Sequence, residues 1–146
     1  MSKKIKNSGN DISTNGRKYI KTEFEKEEFE KEGDDKLIFV SIKNLQESFE
    51  CFSDWNKKEM KKFWDFNRGI HKIRWDDLHK SGGKEKTGWG YTLIPRDKYK
   101  RISFFETISK DKNIFELRVD NKMRVHGFRE KSVFYLCVLD REHRIC

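Results

Sequence analysis

The last third of the chain concentrates side chains that could act on a phosphodiester. Glu116, Arg118, Arg124 and His126 follow one another closely, and His143 lies near the end of the sequence. Arginine meets phosphate oxygens with a planar fork of donors and keeps its charge at physiological pH. Histidine titrates near neutrality and can move a proton. These residue types indicate chemistry or binding at a phosphate.

Cleavage of RNA by its own 2′-hydroxyl needs a base, a cation at the phosphate and an acid for the leaving 5′ oxygen. Glu116 or His126 would be the base, Arg118 and Arg124 the cations, and His143 the acid. The alternative to a catalytic role is a structural one, in which these residues form cross-strand ion pairs, for instance of Glu116 or Asp120 with Arg124.

We expect neither a metal ion nor a cofactor. His143, Cys146 and the nearby Cys137 could supply zinc ligands, but the sequence contains no CxxC or HxxxH pair to complete a site. Cys137 alternates with large apolar residues, which is typical of a buried thiol.

The elements that position these residues are three strand-like runs joined by two-residue connections. The runs are residues 115–120, 123–129 and 132–140. Such short connections predict an antiparallel meander. Alternation predicts one apolar face packed on helices and one exposed face that gathers Arg118, Arg124 and His126. The last run is apolar throughout, as in a central strand.

The preceding residues predict one strand and two helices. LIFVSIK, residues 37–43, is apolar and β-branched and favours a strand. Residues 53–70 have helical spacing, with an N-cap at Ser53 or Asp54, and a shorter helix is expected from Trp75 to the residues before Ser81. We assign Trp64 and Trp75 to the core. The fold class is therefore α+β, with helices on one face of a small antiparallel sheet.

Domain organisation follows from the charge distribution. The chain has 146 residues and a net charge of +8, and its length fits one domain with tails. Residues 1–36 carry nine basic and nine acidic residues. This segment is expected to be a disordered or partly helical charged arm, and residues 37–146 a single basic domain.

The basic excess is local and indicates a polyanionic partner. Residues 56–101 contain fourteen basic and six acidic residues, and a local excess of this kind is the electrostatic footprint of nucleic-acid binding, although a solubilising surface is the alternative. Trp89 is a candidate for stacking on a base. The basic residues predicted to hold RNA are Lys84, Lys86, Lys98, Lys100 and Arg129.

No apolar run approaches the roughly 18 residues of a membrane span, and the N-terminus lacks the apolar stretch of a secretory signal. We therefore expect a cytoplasmic protein that does not contact membranes. Three irregularly spaced cysteines do not form a disulfide framework.

The segment LRVDNKMRVHGFREKSVFYLCVLDREHRI resembles the C-terminal meander of the RelE/ParE-like toxins, and most closely their YoeB-type branch. In that branch two helices precede a strand with an arginine, a second strand has an arginine six positions later, and a histidine-containing tail follows the last strand. Arg118 and Arg124 keep this spacing, and His143 follows the last run.

The resemblance implies a toxin that acts as a ribosome-dependent messenger RNA endonuclease in bacterial or phage defence. Arg124 would match the family's catalytic arginine and His143 its terminal general acid, while Glu116 is a candidate for the catalytic glutamate. The partners implied are RNA, the ribosome and a protein antitoxin. The chain departs from the family in its N-terminal arm and in an added segment around 81–112.

Two other functions remain open. The protein would be a non-catalytic nucleic-acid-binding protein, or an inhibitor that docks on a nucleic-acid machine, if the basic surface alone were functional. A toxin acting on a protein target is the third hypothesis, because the ParE branch targets gyrase without cleaving RNA and fold similarity does not fix function.

Overall fold

The computed structural model describes residues 31–82 and 88–146, which form an α+β fold of five strands and two helices. Three short 3-10 helices lie at Phe52–Asp54, Arg96–Tyr99 and Ser103–Thr107. The strands and α-helices, in chain order, are β1 Phe39–Ser41, α1 Lys57–Ile70, α2 Trp75–Lys80, β2 Thr92–Leu93, β3 Ile114–Arg118, β4 Arg124–Glu130 and β5 Val133–Asp140.

The strands form one sheet in the order β1-β5-β4-β3-β2. The predicted meander is confirmed, because β3 pairs with β4 and β4 with β5 in antiparallel register. The sheet is mixed, however, since β1 pairs with β5 in parallel, so the prediction of a purely antiparallel sheet was wrong. The apolar β5 lies between β1 and β4, as its composition indicated.

Helix α1 begins later than the sequence indicated. Its N-cap is Asn56, whose side chain accepts a hydrogen bond from the Glu59 amide while the Glu59 carboxylate accepts one from the Asn56 amide, both at 2.9 Å. This reciprocal capping satisfies two amides that the first turn leaves free. The predicted caps Ser53 and Asp54 lie instead in the preceding 3-10 turn.

The helices cover one face of the sheet. Phe66 and Ile70 of α1 and Trp75 of α2 pack with Phe115 and Leu117 of β3 in a first hydrophobic cluster. Trp75 is fully buried as predicted, but Trp64 is 51% exposed. The assignment of Trp64 to the core was wrong, because its position on α1 turns the ring outward, where it contacts Arg68.

The opposite face of the sheet is also covered. Residues 94–105 and Ile145 of the C-terminal tail pack on Ile114, Phe128 and Val138 in a second hydrophobic cluster. Because successive residues of a strand point to opposite faces, Glu116, Arg124 and His126 lie on this second face, and all three are buried. The prediction that Arg118, Arg124 and His126 form an exposed face was therefore wrong for Arg124 and His126, whereas Arg118 is half-buried.

The packed part of the chain begins before residue 37. Arg129 donates to the Asp34 carboxylate at 2.7 Å and to the Gly33 carbonyl at 3.0 Å, and the Trp75 amide donates to the Lys36 carbonyl at 3.0 Å. The rest of the predicted arm, residues 1–30, lies outside the described residues. None of the helices in the described ranges is long and apolar enough to cross a membrane.

Candidate catalytic cluster around Glu116

Glu116 lies between three other polar side chains, and all four were predicted from the sequence as catalytic. We call Glu116, Arg124, His126 and His143 the Glu116 cluster. Strand pairing places Glu116 directly opposite His126. The Glu116 Oε1 atom lies 3.3 Å from His143 Nε2 and 4.0 Å from His126 Nε2, and Oε2 lies 3.7 Å from Arg124 Nε. One carboxylate therefore contacts all three other members.

The carboxylate of Glu116 is shielded from solvent but incompletely paired. Its side chain is 9% exposed, and Oε1 is buried and accepts no hydrogen bond from the described residues. The approach of His143 to Oε1 is thus an electrostatic contact between close atoms. A buried carboxylate oxygen without a hydrogen bond is costly and calls for an explanation, of which a catalytic role is one.

His143 is the most accessible member of the cluster, with a side chain 34% exposed. Its backbone has a φ of 56°, in the left-handed region that favours glycine. The amides of Arg144 and Ile145 donate to the two carboxylate oxygens of Asp140, at 2.8 and 2.9 Å. These two bonds hold the tail in the strained turn that aims His143 at Glu116.

His126 has no exposed surface and lies within a network of hydrogen bonds. Its Nδ1 atom is 2.8 Å from the hydroxyl of Tyr99, and Nε2 is 3.4 Å from Oδ2 of Asp140. Burial raises the pKa of Tyr99, so the hydroxyl keeps its proton and can donate to Nδ1. Nε2 then carries the hydrogen that Asp140 accepts. A histidine held in this way positions its neighbours and does not reach RNA.

Asp140 remains ionised in this closed setting. Burial raises the pKa of its carboxyl group, but the hydrogen bonds from His126 and from the amides of Arg144 and Ile145 outweigh that effect, so the pKa is lowered. The charge of Asp140 therefore fixes both His126 and the tail that carries His143.

Arg124 is held against the turn between β3 and β4. Its Nη1 atom donates to the carbonyls of Asp120 at 2.8 Å and Met123 at 3.1 Å. Burial lowers the pKa of Arg124, the Glu116 carboxylate opposes this and the charge of Arg118 adds to it. These contacts fix the cation beside the carboxylate instead of leaving it on a mobile side chain.

Arg118 pairs with Arg124 in the strand register, and its guanidinium reaches the segment of residues 88–90 that precedes β2. It donates from Nη1 to the Gly88 carbonyl at 3.0 Å. The side chain lines a cleft of about 430 Å³, together with Lys62, Asp65, Phe66, Trp89 and Asp120. Arg118 thus belongs to the rim between β3 and α1.

The predicted RNA-binding residues are spread over several surfaces. Lys98 and Lys100 are exposed next to Tyr99, whereas Trp89 is half-buried, with its ring against Gly69 and Phe66. Arg129 lies with its guanidinium 4.2 Å from the Trp75 ring, on the helical face, and its donors bind Lys131, Asp34 and Gly33. Lys84 and Lys86 lie outside the described residues.

Sequence reasoning missed Tyr99 and Asp140. Tyr99 lies in a segment without helix or strand periodicity, and Asp140 ends an apolar run. The only usable signal was Asp140 itself, a charged residue at the end of a strand expected to be buried. Within the described ranges, no group of three or more His, Cys, Asp or Glu side chains is arranged to hold a metal ion.

Comparison of the chain with protein-family models, with curated proteins and with solved structures gives no match.

Proposed function

We propose that the protein is a toxin-like endoribonuclease that cleaves ribosome-associated messenger RNA by 2′-hydroxyl attack, without a metal. The observation that carries the proposal is the convergence of a carboxylate, an arginine and a histidine from three separate chain segments. The Glu116 carboxylate lies within 4.0 Å of Arg124 and His143. Base, cation and acid are the three groups that this reaction needs.

In the proposed mechanism Glu116 accepts the proton of the 2′-hydroxyl through Oε1, the oxygen without a hydrogen bond. The 2′ oxygen attacks the phosphorus, and Arg124 stabilises the charge that develops on the phosphoryl oxygens. Protonated His143 gives its proton to the 5′ oxygen as the P–O5′ bond breaks. The products are a 2′,3′-cyclic phosphate and a 5′-hydroxyl.

The geometry before substrate binding suits these roles. The His143 side chain contacts Glu116 at 3.3 Å, so the proposed acid already lies beside the proposed base. RNA must enter between the two groups, because base and acid act on opposite sides of the phosphorus. The His143 side chain must move away from Glu116 for this, while Asp140 holds the amides of the two residues that follow His143.

We propose the ribosome and an antitoxin as partners because of the resemblance to the YoeB-type branch of the RelE/ParE-like toxins. The resemblance is supported by the element order of the described chain, in which α1 and α2 precede the β3-β4-β5 meander. The six-residue spacing of Arg118 and Arg124 and the position of His143 after β5 are the motifs that support it.

A non-catalytic nucleic-acid-binding protein is the second candidate. One observation favours it: Arg124 and Glu116 are only 10% and 9% exposed, and Nη1 of Arg124 already donates to two carbonyls. If the Glu116 cluster is only a structural ion-pair network, basic surface residues would bind RNA by counterion release and leave it intact.

The test is messenger RNA cleavage in a purified translation system, with wild type, Glu116→Gln, Arg124→Lys and His143→Gln. We expect each variant to lose about 10²-fold or more in rate, because removing a general acid, a base or a phosphate-stabilising cation typically costs that much.

His79→Gln is the matched control. His79 is 33% exposed and lies 3.6 Å from the Asp34 carboxylate, so its exposure and its distance to a carboxylate resemble those of His143. His79 differs in its place, because it belongs to α2 on the helical face of the sheet. We expect this variant to cleave at the wild-type rate. Equal rates for His143→Gln and His79→Gln would refute the assignment of His143, and intact RNA with wild-type protein would favour the binding protein.

A further inference from the structure

A second cationic site lies next to the tail that carries His143. The guanidinium carbon of Arg144 lies 4.5 Å from the centre of the Phe49 ring, and that of Arg101 lies 5.1 Å from the same centre. We call these three residues the arginine patch. Phe49 is half-buried against the second hydrophobic cluster, while both arginines are exposed. Two positive charges are thus held at the surface by one ring.

The patch has more positive charge than its neighbours neutralise. Among the described residues, the carboxylate that pairs with the patch is that of Glu50, whose Oε1 lies 3.6 Å from Arg144 Nη2. Its other oxygen, Oε2, accepts hydrogen bonds from Trp55 Nε1 at 2.7 Å and from the Arg141 amide at 2.9 Å. Among the described residues this carboxylate pairs with Arg144 and none lies within 4.0 Å of the Arg101 guanidinium nitrogens, so an external anion between the two arginines would be stabilised.

Stacking also prepares the arginines for binding. An arginine that lies on an aromatic ring keeps its N–H edge available for hydrogen bonds, and its planar fork matches the oxygens of a phosphate. The ring restricts each side chain before the ligand arrives, which lowers the entropy lost on binding.

Both arginines lie within two residues of a side chain that belongs to the Glu116 cluster or is hydrogen-bonded to it. Arg144 follows His143 directly, and its amide donates to Asp140. Arg101 comes two residues after Tyr99, whose hydroxyl bonds to His126. An anion held by the arginine patch would therefore lie beside the side of the cluster that His143 occupies.

We propose that Phe49, Arg101 and Arg144 form a subsite for the phosphate backbone of single-stranded RNA, on the 3′ side of the bond that is cleaved. The direction follows because His143 protonates the 5′ oxygen, which belongs to the 3′ fragment. This inference rests on the proposed function for the identity of the ligand. Lys98 and Lys100, which precede Arg101 in the chain, are also exposed.

The test is the affinity for a fluorescent single-stranded 2′-O-methyl RNA, which binds like RNA but cannot be cleaved by 2′-hydroxyl attack. Binding is measured by fluorescence anisotropy at several salt concentrations. We expect Arg101→Ser and Arg144→Ser each to weaken binding about tenfold at low salt, since each removes charge-assisted hydrogen bonds to a phosphate. The slope of log affinity against log salt should fall by about 0.7 for each arginine removed.

Arg68→Ser is the matched control, because Arg68 also lies over an aromatic ring, at 5.3 Å from the centre of Trp64, but on α1. The substitution removes one charge and one arginine–ring contact. Its affinity for the RNA should stay within about twofold of wild type, and its salt slope should equal that of wild type within error. Arg144→Lys keeps the charge but loses the fork and should keep the salt slope while weakening binding. Circular dichroism establishes that each variant is folded.

The inference is overturned if Arg101→Ser and Arg144→Ser behave like Arg68→Ser, or if the wild-type protein does not bind the 2′-O-methyl RNA at low salt. Its failure can be distinguished from that of the proposed function. Binding that depends on the two arginines, with messenger RNA left intact, would retain the subsite and remove the endonuclease. Cleavage that depends on His143, with no effect of the arginines on binding, would remove only the subsite.

Discussion

The hydroxyl group of Tyr99 offers a sharp test of the network that positions the Glu116 cluster. Tyr99 is 3% exposed, and its hydroxyl lies 2.8 Å from Nδ1 of His126, which is fully buried. Tyr99→Phe keeps the ring, which packs edge-on against Phe105, and removes one oxygen. It leaves a buried imidazole nitrogen without a partner, which costs about 1–3 kcal/mol.

Urea unfolding followed by tryptophan fluorescence measures this cost. With an m-value of about 2 kcal/mol/M for a domain of this size, a loss of about 2 kcal/mol lowers the midpoint by about 1 M. Tyr135→Phe is the control, since Tyr135 is half-buried and stacks on Phe128 on the same face of the sheet, and it should change stability by no more than about 0.5 kcal/mol. Equal midpoints for the two variants would refute the role given to the Tyr99 hydroxyl.

Three further predictions follow from the same contacts. The lowered pKa of Asp140 means that the folded state binds fewer protons than the unfolded state below the ordinary value of 3.8, so its contribution is present above that pH and is lost as the pH falls through the folded value. Urea titrations in acid should therefore show a shallower loss of stability for Asp140→Asn than for wild type, and parallel curves would contradict this. Burial raises the pKa of the Cys137 thiol to about 12, so alkylation followed by mass spectrometry should modify the exposed Cys146 first and Cys137 last; equal rates would show that the second face opens readily. Gly127→Ala would drive a methyl group into the Tyr135 carbonyl and to 2.7 Å from the Phe134 ring, so it should destabilise the fold by about 3 kcal/mol, and a wild-type urea midpoint would refute that packing.

The meander could be predicted because it depends on features close together in the sequence, namely short connections and the alternation of apolar and polar residues. Short connections, of five residues between β3 and β4 and of two between β4 and β5, favour antiparallel pairing of neighbouring strands. The alternation of Phe115 and Leu117 with Glu116 identifies the two faces. The parallel pairing of β1 with β5 could not be predicted in this way, because it joins residues nearly a hundred positions apart and depends on where the helices place the chain.

The convergence of Glu116, Arg124, His126 and His143 followed from their nearness in sequence, but their burial did not. The cover consists of 3-10 turns in residues 96–107 and the six-residue tail 141–146, neither of which has a hydrophobic period. Short irregular segments bury apolar side chains only through their tertiary contacts, so their sequence carries no signal for the face they protect.

The face of the sheet on which Asp140 lies is set by one irregularity in the pairing of β4 with β5. Counting back from the tight turn, Glu130 pairs with Val133 and Gly127 with Leu136, but a bulge between His126 and Gly127 shifts the register by one residue. His126 then pairs with Val138 and Arg124 with Asp140. A one-residue shift reverses the face to which a side chain points. Without the bulge Asp140 would point away from His126. Gly127, which lies at the bulge, is the sequence signal that could have indicated it, because an isolated glycine within a strand often marks a bulge.

The most direct test of the central claim is the chemistry of RNA ends after incubation of the protein with programmed ribosomes. If the Glu116 cluster cleaves RNA by 2′-hydroxyl attack, wild-type protein produces 5′ fragments that end in a 2′,3′-cyclic phosphate and 3′ fragments that begin with a 5′-hydroxyl, and His143→Gln produces almost none. Intact RNA with the wild-type protein, fragments with a 5′-phosphate, or equal cleavage by His143→Gln would contradict the account.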